Sequence, residues 1–146
     1  MSSCRRKAIA LFPQHRAEFE QAADIAQVFF RLSMEARDPH EAYALDQTNE
    51  SARLYLQHLH GFVEWTLRQP ELWTKAAIGF YEDLFATVRW EWIVPWLSPF
   101  AIEQIRQTWA FGVDGKLQPK FDRLLAERAD DAYKSHVFAT GAIDGL

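Results

Sequence analysis

Six prolines divide this chain of 146 residues into blocks, and each block has the periodicity of a helix. Proline is tolerated at the first position of a helix, whereas in the interior it removes a hydrogen bond and its ring clashes with the preceding turn. Between the prolines, apolar residues recur at steps of three and four, the spacing of one face of an α-helix. No stretch alternates apolar and polar residues long enough to support a strand. The sequence therefore predicts an all-α protein.

The first two blocks predict two long helices. The apolar stripe of the first runs through residues 14–37 without interruption. The second is expected to cover residues 39–69, because Asp38 can cap it and Pro39 suits its first helical position. We expect the two helices to pair as an antiparallel hairpin across the short connection at Asp38.

The second predicted helix has one weak point, at residues 46–51. Side chains in this stretch can bond to their own backbone and so compete with the helical hydrogen bonds; they are Thr48, Asn49 and Ser51. Whether the helix is continuous there is left open.

Three further helices are predicted in the second half of the chain. The first of them, over residues 70–95, has an apolar arc too wide for one neighbour, so we expect it to be the most enclosed. Gly79 lies in its middle and predicts the close approach of another helix. Ser98 caps a short helix that begins at Pro99, and a last helix begins at Pro119.

Together these elements predict an up-and-down bundle of four to five helices in a single domain over residues 1–146. Hydrophobic residues make up 49% of the chain, enough for a core without disulfides, and Cys4 is the one cysteine. Short flexible tails are expected at about residues 1–6 and 140–146, where the sequence carries no strong helical pattern.

Charge and hydropathy exclude several classes of protein. The net charge of −4 argues against a nucleic-acid-binding protein that works by neutralising many phosphates. The apolar run at residues 8–12 is too short for a signal peptide. No run approaches the length of about 18 apolar residues that a membrane span needs. We therefore expect a cytoplasmic protein without a transmembrane span.

Searches for catalytic and metal-binding patterns find none. A carboxylate-bridged di-iron site needs a glutamate followed three positions later by histidine, and that spacing does not occur. His60 and Glu64 share a helix face, but neither has a supporting pair of metal ligands elsewhere in the sequence. No nucleophile elbow, glycine-rich phosphate loop or Cys-x-x-Cys pair is present. The sequence predicts no catalytic residue, no cofactor and no metal.

All six tryptophans lie within residues 65–109, and three of them fall in the segment 90–100. The apolar surface of this segment exceeds what a small bundle can readily hide, which predicts a contact surface for a partner. Its residues are Trp90, Trp92, Ile93, Trp96, Leu97 and Phe100. The alternative is that these rings fill the core.

A different functional hypothesis is a small-ligand-binding or enzymatic bundle with an aromatic pocket. That pocket would be lined by Trp73, Trp92 and Trp109, and His60 or Glu64 would polarise it. Fluorescence quenching of the tryptophans separates the two hypotheses, because a contact surface exposes several rings and a pocket protects them.

Residues 29–62, centred on the sequence ARDPHEAYALDQ at 36–47, resemble the helix-turn-helix of phasins. Phasins are non-enzymatic helical proteins that self-associate and coat polyhydroxyalkanoate granules. The resemblance covers about a quarter of the chain and implies that the apolar side of these helices lies on polyester. The sequence thus favours a non-catalytic protein that forms a homo-oligomer and binds a protein partner or a hydrophobic granule surface.

Overall fold

A computed structural model describes residues 2–109 together with residues 119, 122, 123 and 126. Helices dominate this described part of the chain, which contains no strand, so the predicted all-α class is confirmed. No helix within it is both long and apolar enough to cross a membrane. The predicted helix from Pro119 and the predicted tail at 140–146 lie outside the continuous described range.

A helix begins at Ser3, within the stretch for which we predicted a flexible tail, so that prediction is wrong for Ser3 to Arg6. Helix α1 spans Ser3–Leu11 and buries Cys4, Lys7 and Ala8 against the core. The guanidinium of Arg5 donates hydrogen bonds to the carbonyls of Phe19 and Ala22, at 3.0 and 2.9 Å. These carbonyls lie at the C-terminal end of the helix over Arg16–Gln21, where the helix dipole favours a cation. Arg5 thus ties the terminus down.

The predicted first long helix is divided in two. After a 3₁₀ turn at Pro13–His15, α2 spans Arg16–Gln21 and α3 spans Ile25–Glu35. The division occurs because Ala22 leaves the helical region and Asp24 caps α3, its carboxylate accepting from the Gln27 N–H at 3.2 Å. A side-chain cap therefore outweighs the unbroken apolar stripe.

The second predicted helix is also divided, at its weak point. Helix α4 spans Arg37–Leu45 and α5 spans Glu50–Leu67. Between them, the Asp46 carboxylate accepts from the Thr48 N–H at 3.0 Å and from its hydroxyl, and Asn49 caps α5. Asp38 is not the N-cap that we predicted, because it lies inside the first turn of α4. The hairpin of two long helices is accordingly not confirmed.

The third block forms one helical rod with a widened centre. It consists of α6 (Trp73–Ala76), a π-helical segment (Ala77–Glu82) and α7 (Asp83–Thr87). Helix α3 is the neighbour of Gly79, but a Cβ there would lie 3.4 Å from the Cβ of Phe29, an ordinary van der Waals contact, so the packing does not require glycine. The rod ends at Val88, which is extended, well before Pro95.

Two short elements complete the described fold. Helix α8 spans Trp90–Ile93 and runs into a 3₁₀ turn at Val94–Trp96. Helix α9 spans Pro99–Trp109, and the Ser98 hydroxyl accepts from the N–H of Ala101 at 3.0 Å, which confirms the predicted cap.

The most enclosed helix is α5, not the block at 70–95 that we predicted. Ten of its 18 residues are buried. Its Phe62 ring packs within 6.1 Å of Phe12 from the N-terminal segment and within 6.2 Å of Phe29 from α3, measured between ring centroids. Because α5 is packed on several sides, polar residues such as His60 and Glu64 are buried along with its apolar ones.

Candidate functional site

Two histidines from different helices meet inside the protein. His40 of α4 and His60 of α5 are each about 1% exposed, and their Nε2 atoms are 2.9 Å apart. The Nδ1 of His40 lies 2.6 Å from the carbonyl oxygen of Ala36, and the Nδ1 of His60 lies 3.2 Å from the hydroxyl of Tyr81. A chain of hydrogen bonds thus joins α4, α5 and the π-helical segment.

The protonation states of the two histidines follow from the groups at the ends of this hydrogen-bond chain, the Ala36 carbonyl and the Tyr81 hydroxyl. The carbonyl of Ala36 can only accept, so the His40 Nδ1 carries a hydrogen and its Nε2 is an acceptor. The Nε2–H of His60 must then donate to His40, which leaves the His60 Nδ1 to accept from the Tyr81 hydroxyl. Both rings are neutral, and all four ring nitrogens have a partner.

Burial keeps the two rings neutral. It lowers the pKa of His40 to about 4, against a smaller opposing effect of the Ala36 carbonyl. Burial also lowers the pKa of His60 well below its ordinary value, and the nearby His40 adds to the effect. Aromatic rings supply this environment, since Trp96 stacks on His60 at 5.8 Å and 8° between planes.

A buried carboxylate lies one turn further along α5. The hydroxyl of Ser98 donates to Glu64, and an Arg68 nitrogen lies 3.8 Å from the other carboxylate oxygen. Burial raises the pKa of Glu64, and the charge of Arg68 opposes that shift. His60 and Glu64 share a helix face as predicted from their spacing, but they contact different partners.

A cleft of about 370 Å³ opens at the solvent side of the histidine pair, between α4 and α8. Its lining includes His40, Tyr43, Gln47, Glu91, Trp92 and Trp96, and we call it the aromatic cleft. Tyr43 meets Trp96 edge-on at 5.3 Å between ring centroids. Trp92 and Tyr43 are half-buried, whereas the side chain of Glu91 is 67% exposed.

Arg89, the residue before α8, contacts two of the residues that line the aromatic cleft. The Arg89 guanidinium carbon lies 5.4 Å from the Trp92 ring centroid, which is within the range of a cation–π contact. Its Nε is also 3.7 Å from a carboxylate oxygen of Glu91.

The six residues of the predicted contact surface are placed in two environments. Ile93, Trp96 and Leu97 are buried in the core, because the turns of α8 and the 3₁₀ segment direct them inward. The remaining three are half-buried: Trp92 at the aromatic cleft, Trp90 against Phe85, and Phe100 beneath the guanidinium of Arg68. The segment is therefore partly core, and its role in binding a partner stays a prediction.

Of the three tryptophans predicted to line the alternative pocket, the structure places Trp92 at the aromatic cleft, and the alternative hypothesis stays a prediction. Trp92 lines the aromatic cleft, whereas Trp73 begins α6 and does not line it. His60 is behind His40 and out of reach of the cleft, and Glu64 contacts Ser98 instead. The side chain of Trp109 lies outside the described part of the chain.

Within the described part of the chain, no group of three or more His, Cys, Asp or Glu residues is arranged to hold a metal ion. The histidine pair itself has no ring nitrogen left for a ligand, since every one is engaged in the hydrogen-bond chain.

Comparisons with protein-family models, with curated proteins and with solved structures gave no match for this chain. The resemblance to phasins therefore stays a prediction.

Sequence reasoning missed both the histidine pair and the cleft beside it. It paired His60 only with Glu64, four residues away, the spacing at which side chains meet on one helix. His40 and His60 are 20 positions apart and meet across two helices. No pattern within one helix indicates that pairing.

Proposed function

We propose that this protein is a non-catalytic helical interaction protein that self-associates and receives a protein partner at the aromatic cleft. The observation that carries the proposal is the cleft itself. Half-buried rings of Tyr43 and Trp92 border a cavity of about 370 Å³ at the surface of the described chain. Aromatic residues of this kind are the ones that contribute most to binding energy at protein interfaces.

The hydrogen bonding behind the cleft supports a binding role over a catalytic one. A general base needs a nitrogen or oxygen that can take a proton from the substrate. His40 lines the cleft, but its ring nitrogens are bonded to Ala36 and His60. The pair therefore holds α4 and α5 together and gives the cleft a rigid floor.

The distribution of charge supports self-association. Residues 1–37 carry six basic and four acidic groups, whereas residues 38–69 carry two basic and five acidic groups. The cleft lies beside the acidic part, on α4. A second copy can thus bring its basic N-terminal part towards the acidic surface of the first, which predicts weaker association at high ionic strength.

Light scattering across a wide range of concentration tests the proposal. We expect oligomers that dissociate on dilution and in high salt. The Trp92→Ala variant should weaken association by about tenfold or more, as loss of a central aromatic side chain does at other interfaces. Trp73→Ala is the matched control, because Trp73 is also half-buried but begins a different helix.

A monomeric wild type at every concentration would refute self-association. Equal effects of the two tryptophan variants would refute the role of the cleft. The granule-coating version is tested separately with polyhydroxybutyrate particles: a protein that remains in the supernatant after the particles are sedimented does not coat them.

A further inference from the structure

The side chains at the aromatic cleft specify the chemistry of what enters it. Building on the proposed function, we infer that the cleft receives one cationic side chain, a lysine ammonium or an arginine guanidinium, presented by a protein partner. Charge, ring geometry and size support this assignment independently.

Among the described residues that line the cleft, Glu91 is the only one with a formal charge. His40 is neutral there, because its Nε2 accepts the Nε2–H of His60. The side chains that line the cleft offer one carboxylate to a cation and no positive charge to an anion. Outside the lining, the guanidinium of Arg89 lies 3.7 Å from Glu91 and over the Trp92 ring, so an entering cation competes with Arg89 for both groups.

The rings offer a second attraction. A cation within about 6 Å of the centroid of a tryptophan or tyrosine ring is drawn to the negative face of that ring. Trp92 and Tyr43 are both half-buried at the cleft and therefore have ring surface to offer. The chain already makes this kind of contact, since Arg89 lies over Trp92 and beside Glu91. Trp92 and Glu91 together thus already bind a guanidinium.

The size of the cleft distinguishes a side chain from a small free cation. A volume of about 370 Å³ is at the lower end of the range for ligand sites, and it exceeds the space that an isolated ammonium headgroup fills. A lysine or arginine brings a long apolar stem that can lie along Pro95 and the half-buried ring of Tyr43. The amide oxygen of Gln47 is then available to accept from the cation at the rim.

Titration with capped amino acids tests the inference on the intact protein. The probes are N-acetyl-arginine amide and N-acetyl-lysine amide. Their uncharged counterparts are the citrulline amide, which has the length of arginine, and the norleucine amide, which has the carbon stem of lysine without the ammonium group. Tryptophan fluorescence and NMR chemical shifts follow binding. We expect the cationic probes to bind about tenfold more tightly than their neutral counterparts. Equal affinity for arginine and citrulline would overturn the inference.

A free quaternary ammonium ion has the same charge and provides a second arm. Tetramethylammonium lacks the long stem, so we expect it to bind more weakly than the lysine probe. Tighter binding of tetramethylammonium would show that the cleft accepts a small free cation and would overturn the assignment to a side chain of a partner.

Substitutions at three exposed residues test whether the probes bind at the aromatic cleft. Glu91→Gln should weaken the cationic probes about three- to fivefold and leave the neutral ones unchanged, as expected for one exposed ion pair. Arg89→Ala should strengthen them, because it removes the cation that competes for Trp92 and Glu91. Glu71→Gln is the control, since Glu71 is exposed and lines a different cleft. Loss of binding in the control, or no change in the other two, would contradict the inference.

These results are separable from those for the proposed function. Saturable binding of the arginine probe to a protein that never self-associates would refute self-association and support the cation assignment. Association that depends on Trp92 but ignores every cationic probe would support the proposed function and refute the cation assignment.

Discussion

Acidification tests the buried histidine pair directly, because each ring is neutral in the folded protein and free to take up a proton when the chain unfolds. The pKa of His40 is lowered by burial from 6.5 to about 4. A group with a lowered folded-state pKa of this kind binds more protons in the unfolded state, so acid favours unfolding. The folded protein therefore has the full benefit of the neutral His40 ring above about pH 6.5, and this contribution to the free energy of unfolding is lost as the pH falls towards 4.

The size of the effect follows from the shift. Each pH unit in this window changes the free energy of unfolding by about 1.4 kcal/mol per proton. His40 alone therefore predicts a loss of about 2 kcal/mol between pH 7 and pH 5, rising to about 3 kcal/mol by pH 4. His60 adds to the loss in the same direction, because burial also lowers its pKa.

Carboxyl groups with lowered pKa values change the free energy of unfolding little between pH 7 and pH 5. Asp46, Glu50 and Glu103 have lowered pKa values, because they accept hydrogen bonds from Thr48, Arg53 and Arg106 respectively. They lose their contribution only as their own protonation begins, below about pH 5. Glu64 acts in the opposite direction, since its raised pKa lets the folded state take up a proton first and offsets part of the loss.

Urea unfolding followed by circular dichroism, repeated from pH 7 to pH 5, measures the slope. His40→Gln should flatten it, because the amide can still accept from His60 but does not titrate. His58→Gln is the control, since it removes an exposed histidine of α5 that takes no part in the buried pair. A flat wild-type profile, or equal flattening by the two variants, would refute the reasoning. NMR titration of the wild-type rings gives an independent measurement: protonation of His40 at pH 6 would also refute it.

Three further predictions concern other parts of the fold. Ser98→Ala should lower the free energy of unfolding by about 2–3 kcal/mol at pH 7, because it removes the cap of α9 and a donor to buried Glu64; Ser98→Thr should retain most of it. Gly79→Ala should raise the stability by up to about 1 kcal/mol, since its Cβ would make an ordinary contact and alanine favours the helix, whereas Gly79→Leu should be destabilising. Burial raises the pKa of the Cys4 thiol to about 12, so a thiol reagent at pH 8 should label the native protein far more slowly than the unfolded chain; equal rates would show that α1 is not docked.

Local signals in the sequence predicted local structure well. The helical class follows from the three- and four-residue spacing of apolar side chains, and Ser98 caps α9 as its position indicated. The stretch at 46–51 divides the second helix by the kind of side-chain bonding that made it a weak point. Each of these features depends on residues within about one turn of the helix.

The same local reasoning was wrong where competing signals had to be weighed. The apolar stripe through residues 14–37 is continuous, yet Asp24 begins a new helix there. The basic N-terminus was expected to be a tail, yet Arg5 finds the carbonyl groups at the end of α2, which no pattern within α1 indicates. In the first case a side-chain cap outweighs a periodicity. In the second, hydrogen bonds to distant residues hold a segment that carries no strong helical pattern.

By itself, then, the sequence determined the helical class and the cap at Ser98, and it marked residues 46–51 as the weak point of the second block, because each depends on backbone hydrogen bonds between near neighbours. The tertiary structure decided that His40 meets His60 and that Glu91 and Trp92 of α8 face Tyr43 of α4. Those groups are separated by 20 to about 50 positions along the chain, and only the packing of whole helices brings them together. Burial then sets their protonation, because the cost of removing a charge from water depends on everything that surrounds it.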